Sequence, residues 1–234
     1  MTRVAKFYKS VDTAKEARGF VVRLDGRPIK TPARNPMTLP TAKLAEAIAE
    51  EWRAQSDALD PLTMPLTRLA YAAIDVAPMH RKRLADEILG YGKSDLLCYR
   101  AEAPKALAAR QNEAWNPLLD WAAERFNARL KTGTGIGYVE QPTDSRVAFA
   151  AAVEPRDDFT LTALHGATSL TGSLVLGLAL IEGRLAAADA FALSRLDETF
   201  QSEAWGKDAE AEARAARLGE ELAAMERFLN LARP

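Results

Sequence analysis

The 234-residue chain contains one cysteine and two histidines, so it is short of thiols and of soft metal ligands. A lone cysteine builds no disulfide framework and suits a reducing compartment. Cys98 lies in the apolar-aromatic run Leu96-Leu97-Cys98-Tyr99, and no histidine stands nearby to activate it, so a buried structural thiol is expected. His80 and His165 belong to no Cys-x-x-Cys, His-Glu-x-x-His or EF-hand pattern. The chain is therefore read as having no metal site and no cofactor. An excess of charge of one sign is missing too, with 31 Lys and Arg against 32 Asp and Glu. No global field draws it to nucleic acid or to an anionic membrane, and any partner must be recognised locally.

Long apolar runs are scarce. Phe159 to Ile181 has no charged residue and is long enough to span a bilayer, but Thr160, Thr162, His165, Gly166, Thr168, Ser169, Thr171, Gly172, Ser173 and Gly177 interrupt it. A buried helix packed through small residues is expected there, with no membrane insertion. The start, Met1-Thr2-Arg3-Val4-Ala5-Lys6, lacks the apolar core of a secretory signal.

Hydrophobic residues make up 48% of the chain, enough for a substantial core. Charge is distributed unevenly. Residues 1–34 carry nine Lys/Arg and three Asp/Glu, whereas residues 197–234 carry five and nine. Phe20 to Leu24, Asp25-Gly26 and Arg27 to Thr31 have the form of a hairpin, because Asp-Gly favours a primed turn. Pro28 places the second strand at a sheet edge, where the nearby Lys and Arg side chains discourage edge pairing. Pro40-Thr41 then opens a helix with Leu44, Ile48 and Trp52 on one stripe. Met64-Pro65-Leu66-Thr67 begins a further apolar stretch running to Ile74.

From His80 onward the pattern is helical over 80–91, 104–115, 117–131, 157–181, 185–200 and 208–231. Pro117 is expected to begin a helix. Gly133 to Val153 is expected to be a loop with one or two strands. Asp208 is a natural N-cap, with Glu210 and Glu212 in the favourable first turn. The fold class is α+β: an N-terminal domain of short strands plus a helix over residues 1–78, then a mainly helical domain over 79–234.

The sequence carries no recognisable catalytic constellation. Gly133-Thr134-Gly135-Ile136-Gly137 lacks both the dinucleotide spacing and the Walker ending, and reads as a connector. Gly172-Ser173 lacks the glycines of a nucleophile elbow, and His165 reads as a satisfied core or interface residue. The carboxylate pairs Glu50/Glu51, Asp157/Asp158 and Glu220/Glu221 are adjacent in sequence and read as solvated faces. Trp115 and Trp121 read as core. Trp205, in Gln201-Ser202-Glu203-Ala204-Trp205-Gly206-Lys207-Asp208, reads equally as a lid on the core or as an interface anchor.

The ordered set Leu24-Asp25-Gly26-Arg27-Pro28-Ile29-Lys30-Thr31-Pro32-Ala33, Glu51-Trp52-x-x-Gln55, Met64-Pro65-Leu66-Thr67, Asp95-Leu96-Leu97-Cys98-Tyr99-Arg100, Trp115 to Trp121, Ser173-Leu174 to Leu180, and Phe200-Gln201 to Trp205-Gly206-x-Asp208-x-Glu210-Ala211 resembles the "Atp-twelve" family of ATP synthase assembly chaperones. The resemblance runs from about residue 5 to residue 230. It implies a non-enzymatic protein, monomeric when free, that holds the unassembled alpha subunit of F-type ATP synthase until the beta subunit displaces it. Mitochondrial members carry a targeting extension that this chain lacks, so a bacterial cytoplasmic protein is expected, or a mature form in the mitochondrial matrix. Such a role needs no catalytic group, only a surface that covers an aggregation-prone interface.

Trp52 and Gln55, with Gln201, Trp205, Asp208 and Glu210, are the residues expected to bind the partner or to support the domain junction. Two other readings remain: a small-molecule enzyme with its site in an inter-domain groove, and an adaptor for a different client.

Overall fold

Asp25 and Gly26 take φ angles of 48° and 77° in the computed structural model, which describes residues 5–206 and 208–233. Positive φ at both central residues defines the primed hairpin turn, whose twist matches that of its strands. Strand β2 (Gly19–Leu24) accordingly folds back onto β3 (Arg27–Pro28), pairing Leu24 with Arg27 and Arg23 with Pro28. Pro28 sits on an outer strand, as expected. The strand stops at two residues instead of continuing to Thr31. A further strand, β1 (Val11–Glu16), pairs antiparallel along all of β2. Its sequence, VDTAKE, has almost no apolar alternation, and the buried side chains of the pair are Val21, Val22 and Leu24 of its neighbour.

By internal contacts the chain divides into two compact units. One comprises Met1–Arg81, Asp158–Ala163 and Arg227–Pro234, and the other Lys82–Asp157 and Leu164–Glu226. In the first, the Thr41 side chain accepts the Leu44 N–H at 3.1 Å and caps α1 (Ala42–Arg53). Leu44, Ile48 and Trp52 of that helix are buried, and α1 covers the β1–β2 face. Helix α2 (Pro65–Tyr71) passes through a π-helical turn at Ala72–Val76 into α3 (Ala77–Tyr91). The widened turn carries Asp75, whose carboxylate accepts from the Thr31 hydroxyl at 2.6 Å, the Asn35 amide at 2.9 Å and the Ala33 N–H at 3.0 Å.

The second unit is helical, and several boundaries differ from the sequence pattern. Pro117 starts no helix, since α4 runs from Lys105 to Phe126 with the proline inside it. An interior proline costs about 3 kcal/mol. Burial of Leu107, Gln111, Trp115, Leu118, Leu119 and Ala122 along one stripe outweighs that cost. The expected loop over 133–153 contains a two-residue strand, β5 (Gly133–Thr134), paired in parallel with β4 (Tyr99–Arg100), and then a helix, α5 (Thr143–Val153). Packing of Phe149 and Val153 overrides the β-branched residues that suggested strand.

The uncharged stretch 159–181 is two helices, α6 (Asp158–Thr171) and α7 (Leu174–Ile181). Gly172, at a φ of 69°, ends the first, and Ser173 caps the second through the Leu176 N–H at 3.0 Å. Every residue of α7 is buried, and among the described residues no helix is long and apolar enough to cross a membrane. The 185–200 segment also splits, at Arg195, into α8 (Ala187–Ser194) and α9 (Leu196–Trp205), followed by α10 (Ala209–Ala232).

Helices α6 and α7 meet through Gly177. A Cβ there would overlap the hydroxyl oxygen of fully buried Thr168 and lie 3.1 Å from the Leu164 methyl. Gly177→Ala is expected to lose about 1–3 kcal/mol of stability through overpacking. Because the obstacle is one hydroxyl, adding Thr168→Ala should recover part of the loss. Urea denaturation of the two single variants and the double variant measures the coupling, and additive effects would mean that this contact does not set the helix spacing.

Candidate functional site

The residues singled out in the sequence fall in both units. Trp52 is buried in the first, with its ring 5.6 Å from that of Tyr8, whose hydroxyl donates to the Trp52 carbonyl at 2.5 Å. Its indole N–H has no acceptor among the described residues. Gln55 is also buried. Its amide donates to the Glu51 carbonyl at 3.1 Å and the Thr63 hydroxyl at 3.0 Å, while its carbonyl oxygen accepts the Asp60 N–H at 2.8 Å. Each of these bonds is internal, so Gln55 shapes the turn after α1 and its side chain is not presented to solvent.

Glu51 corrects the reading of solvated carboxylate pairs. It is buried, and its carboxylate accepts the Leu66 N–H at 2.7 Å, the Thr67 N–H at 2.8 Å and the Thr67 hydroxyl at 2.7 Å. It therefore caps α2 from a distant helix. Burial raises its pKa, against the pull of those donors and of the Arg227 charge. No local spacing announces a cap supplied from fifteen residues upstream.

The second group surrounds the connection between α9 and α10. Asp208 accepts the Glu210 N–H at 2.8 Å and the Ala211 N–H at 3.4 Å, as expected of an N-cap. Gln201, Asp208 and Glu210 are exposed, and Trp205 is 83% exposed at the end of α9. A lid would be buried, so of the two readings of Trp205 only the projecting aromatic fits. Asp208 and Glu210 line a cleft of about 380 Å³ with Arg195, Ala211, Arg214, Ala215 and Leu218. Behind this surface α9 is tied to α4. Arg110 pairs with Glu203 at 2.8 Å and lies over the Phe200 ring, and Gln111 donates to Asp197 at 2.7 Å.

The remaining motifs form buried knots. Asp95, with no exposed surface, accepts the Leu97 N–H at 3.0 Å, the Ser173 hydroxyl at 2.7 Å and the Val175 N–H at 3.0 Å. Burial pushes its pKa up to about 6 despite these donors. Arg100 donates to Asn112 and Asn116, each at 2.7 Å, and to the Leu97 carbonyl, with its guanidinium 5.2 Å from the Trp115 ring centre. Cys98 is fully buried, and burial followed by the Asp95 charge pushes its thiol up to about 12. A thiol so placed is inert. His165 bonds Glu87 at 2.8 Å with part of its ring exposed, so it is satisfied without being a core residue. Among the described residues no cluster of three or more His, Cys, Asp or Glu is arranged to hold a metal.

Residues 5–123 match the family model described as ATP12 chaperone protein. The crystal structure of Atp12 from Paracoccus denitrificans superposes with a TM-score of 0.94 at 47% identity, covering 98% of this chain and 99% of that one. The chain belongs to the ATP12 chaperone family. A further structure and a mitochondrial Atp12 protein are also similar to this chain. A structure from Agrobacterium tumefaciens is 41% identical with a TM-score of 0.91, covering 98% of this chain and 86% of its own. The mitochondrial protein atp12 of Schizosaccharomyces pombe is 24% identical over 213 residues, 86% of this chain and 73% of that protein. The α+β class expected from the sequence, strands first and helices after, is that of the ATP12 structures.

Proposed function

We propose that this ATP12-family chaperone binds the unassembled alpha subunit of F-type ATP synthase, shields the face destined for the assembled head, and gives way when the beta subunit arrives. It acts in the cytoplasm of a bacterium or, as a mature form, in the mitochondrial matrix. The observation that carries the reading is the end-to-end likeness to Atp12 of P. denitrificans. The surface around Trp205 supports it. An exposed indole at the end of α9 and the exposed Asp208 and Glu210 at the start of α10 offer an apolar anchor and polar groups, the composition of a displaceable interface.

The test mixes the purified chain with purified alpha subunit and follows complex formation and aggregation, with beta subunit added last. A stoichiometric complex, reduced aggregation and release by beta are expected. Absence of a complex would overturn the assignment. Trp205→Ala should weaken capture by about 30-fold if the indole is a central anchor. Glu210→Lys should fold normally and capture less. Unchanged capture by both variants would move the interface away from the α9–α10 connection.

A further inference from the structure

The first unit contains a groove of about 500 Å³ to which none of the roles above gives an occupant. Tyr8, Leu24, Ile29 and Trp52, all buried, form its inner wall, and Phe7, 66% exposed, stands at its mouth. Phe7 meets Tyr8 edge-on at 5.4 Å and Tyr8 meets Trp52 at 5.6 Å, so a line of aromatic rings leads inward from the surface. The Tyr8 hydroxyl is already bonded to the Trp52 carbonyl. Apolar ring surface is therefore what Tyr8 offers to an occupant.

Arg27 and Lys30 line the same groove, are exposed, and have no ion pair among the described residues. Arg23, Arg53 and Arg81 of this unit pair with Asp12, Glu46 and Asp158, whereas Arg18, Arg34 and Arg68, like Arg27 and Lys30, have no ion pair among the described residues; what sets Arg27 and Lys30 apart is their place on the groove. Asp25, the carboxylate in the lining, is occupied by the Ser10 N–H at 2.8 Å, the Lys9 N–H at 3.0 Å and the Ser10 hydroxyl at 3.1 Å. Lys6, 5.1 Å from the Tyr8 ring centre, does not line the groove, and its ammonium already donates to the Gln55 carbonyl at 2.7 Å. The groove is apolar within, and at its rim two cations, Arg27 and Lys30, outnumber the one carboxylate, Asp25, whose oxygens are directed at Lys9 and Ser10.

Edge protection does not account for Lys30, although Arg27 lies on the outer strand β3. Immediately after β3 the chain edge is already closed, by the bridge between Lys30 and Pro36 and by the Met37 N–H bonded to the Ile29 carbonyl. We infer that the groove is a second docking site, for an extended acidic-apolar segment of the client protein. A large apolar side chain lies against Tyr8 and Trp52, and a neighbouring carboxylate meets Arg27 and Lys30. The apolar contact supplies the burial, and the rim charges speed encounter and select segments that carry an acid. This inference rests on the chaperone reading and deepens it.

The experiment measures capture of purified alpha subunit by the full chain at low and moderate salt. It compares wild type, Arg27→Glu/Lys30→Glu, and Lys43→Glu, a control at an exposed cation on α1 that is not among the groove-lining residues. The double variant should bind about tenfold more weakly, with most of the salt dependence gone, while Lys43→Glu stays within twofold. An array of overlapping peptides from the alpha subunit supplies the second readout. Peptides bound by wild type and lost in the double variant should carry Asp or Glu within two residues of Leu, Phe or Trp. If wild type captures nothing, the chaperone reading fails. If wild type captures and the double variant captures equally well, the groove proposal alone is overturned. Uptake of decanoate with no peptide bound would also overturn it.

Discussion

Asp95→Ala is expected to unfold at a much lower urea concentration than wild type, corresponding to a loss of about 3–5 kcal/mol. Three donors lose their acceptor at once: the Leu97 N–H, the Ser173 hydroxyl and the Val175 N–H. Each buried donor left unsatisfied costs about 1–3 kcal/mol, less than additively when neighbours relax together. The site has no exposed surface, so water does not easily replace the lost acceptor. Asp95 also joins two stretches distant in sequence, because it caps the turn at Leu96–Cys98 while holding the start of α7.

The pH dependence of this loss has a definite sign. Burial raises the folded-state pKa of Asp95 to about 6 from the ordinary aspartate value of 3.8, so between these values the native state holds a proton that the unfolded state releases. The stability contributed by that proton is fully present below pH 4 and is lost as pH rises toward 6. The difference between wild type and Asp95→Ala should therefore widen on going from pH 7 to pH 4, by on the order of 3 kcal/mol. Depressed carboxylates such as Glu182 and Asp75 push total stability the opposite way in both proteins and cancel in the comparison. Urea midpoints at pH 4, 5 and 7 decide the matter. A difference that narrows toward acid would mean that Asp95 is held ionised by its donors.

What was legible in the sequence was local. Asp25-Gly26 specified its own turn, Thr41 and Asp208 specified helix starts, and the Leu44-Ile48-Trp52 spacing specified a buried stripe. What was not legible depended on partners far along the chain. Strand β1 exists because it pairs along all of β2, and α4 survives Pro117 because a whole stripe of α4 is buried. Glu51 was misread because its three donors lie on another helix. The same limit applied to the candidate site. Sequence pointed to Gln55 and Trp205 alike, yet one is bonded internally on every polar side and the other projects into solvent. A tryptophan or glutamine in a polar segment has the same spelling in either role.

Two tryptophans of this chain are accordingly expected to behave oppositely. Trp115 is 1% exposed, donates its indole N–H to the Leu193 carbonyl at 3.1 Å, and stacks under the Arg100 guanidinium. Trp115→Ala removes that packing, orphans the Leu193 carbonyl and takes away the aromatic face beside a buried cation, for an expected loss of about 3–5 kcal/mol. Trp115→Phe keeps an aromatic ring and loses the donor, so about 1–2 kcal/mol is expected. Trp205→Ala, in contrast, should leave the urea midpoint within about 0.5 kcal/mol of wild type, as an exposed position with no buried contact allows. If Trp205→Ala unfolds as readily as Trp115→Ala, the α9–α10 connection is part of the fold, and weakened capture by that variant reports unfolding. If Trp205→Ala keeps full stability while capture falls, the indole is a contact with the client.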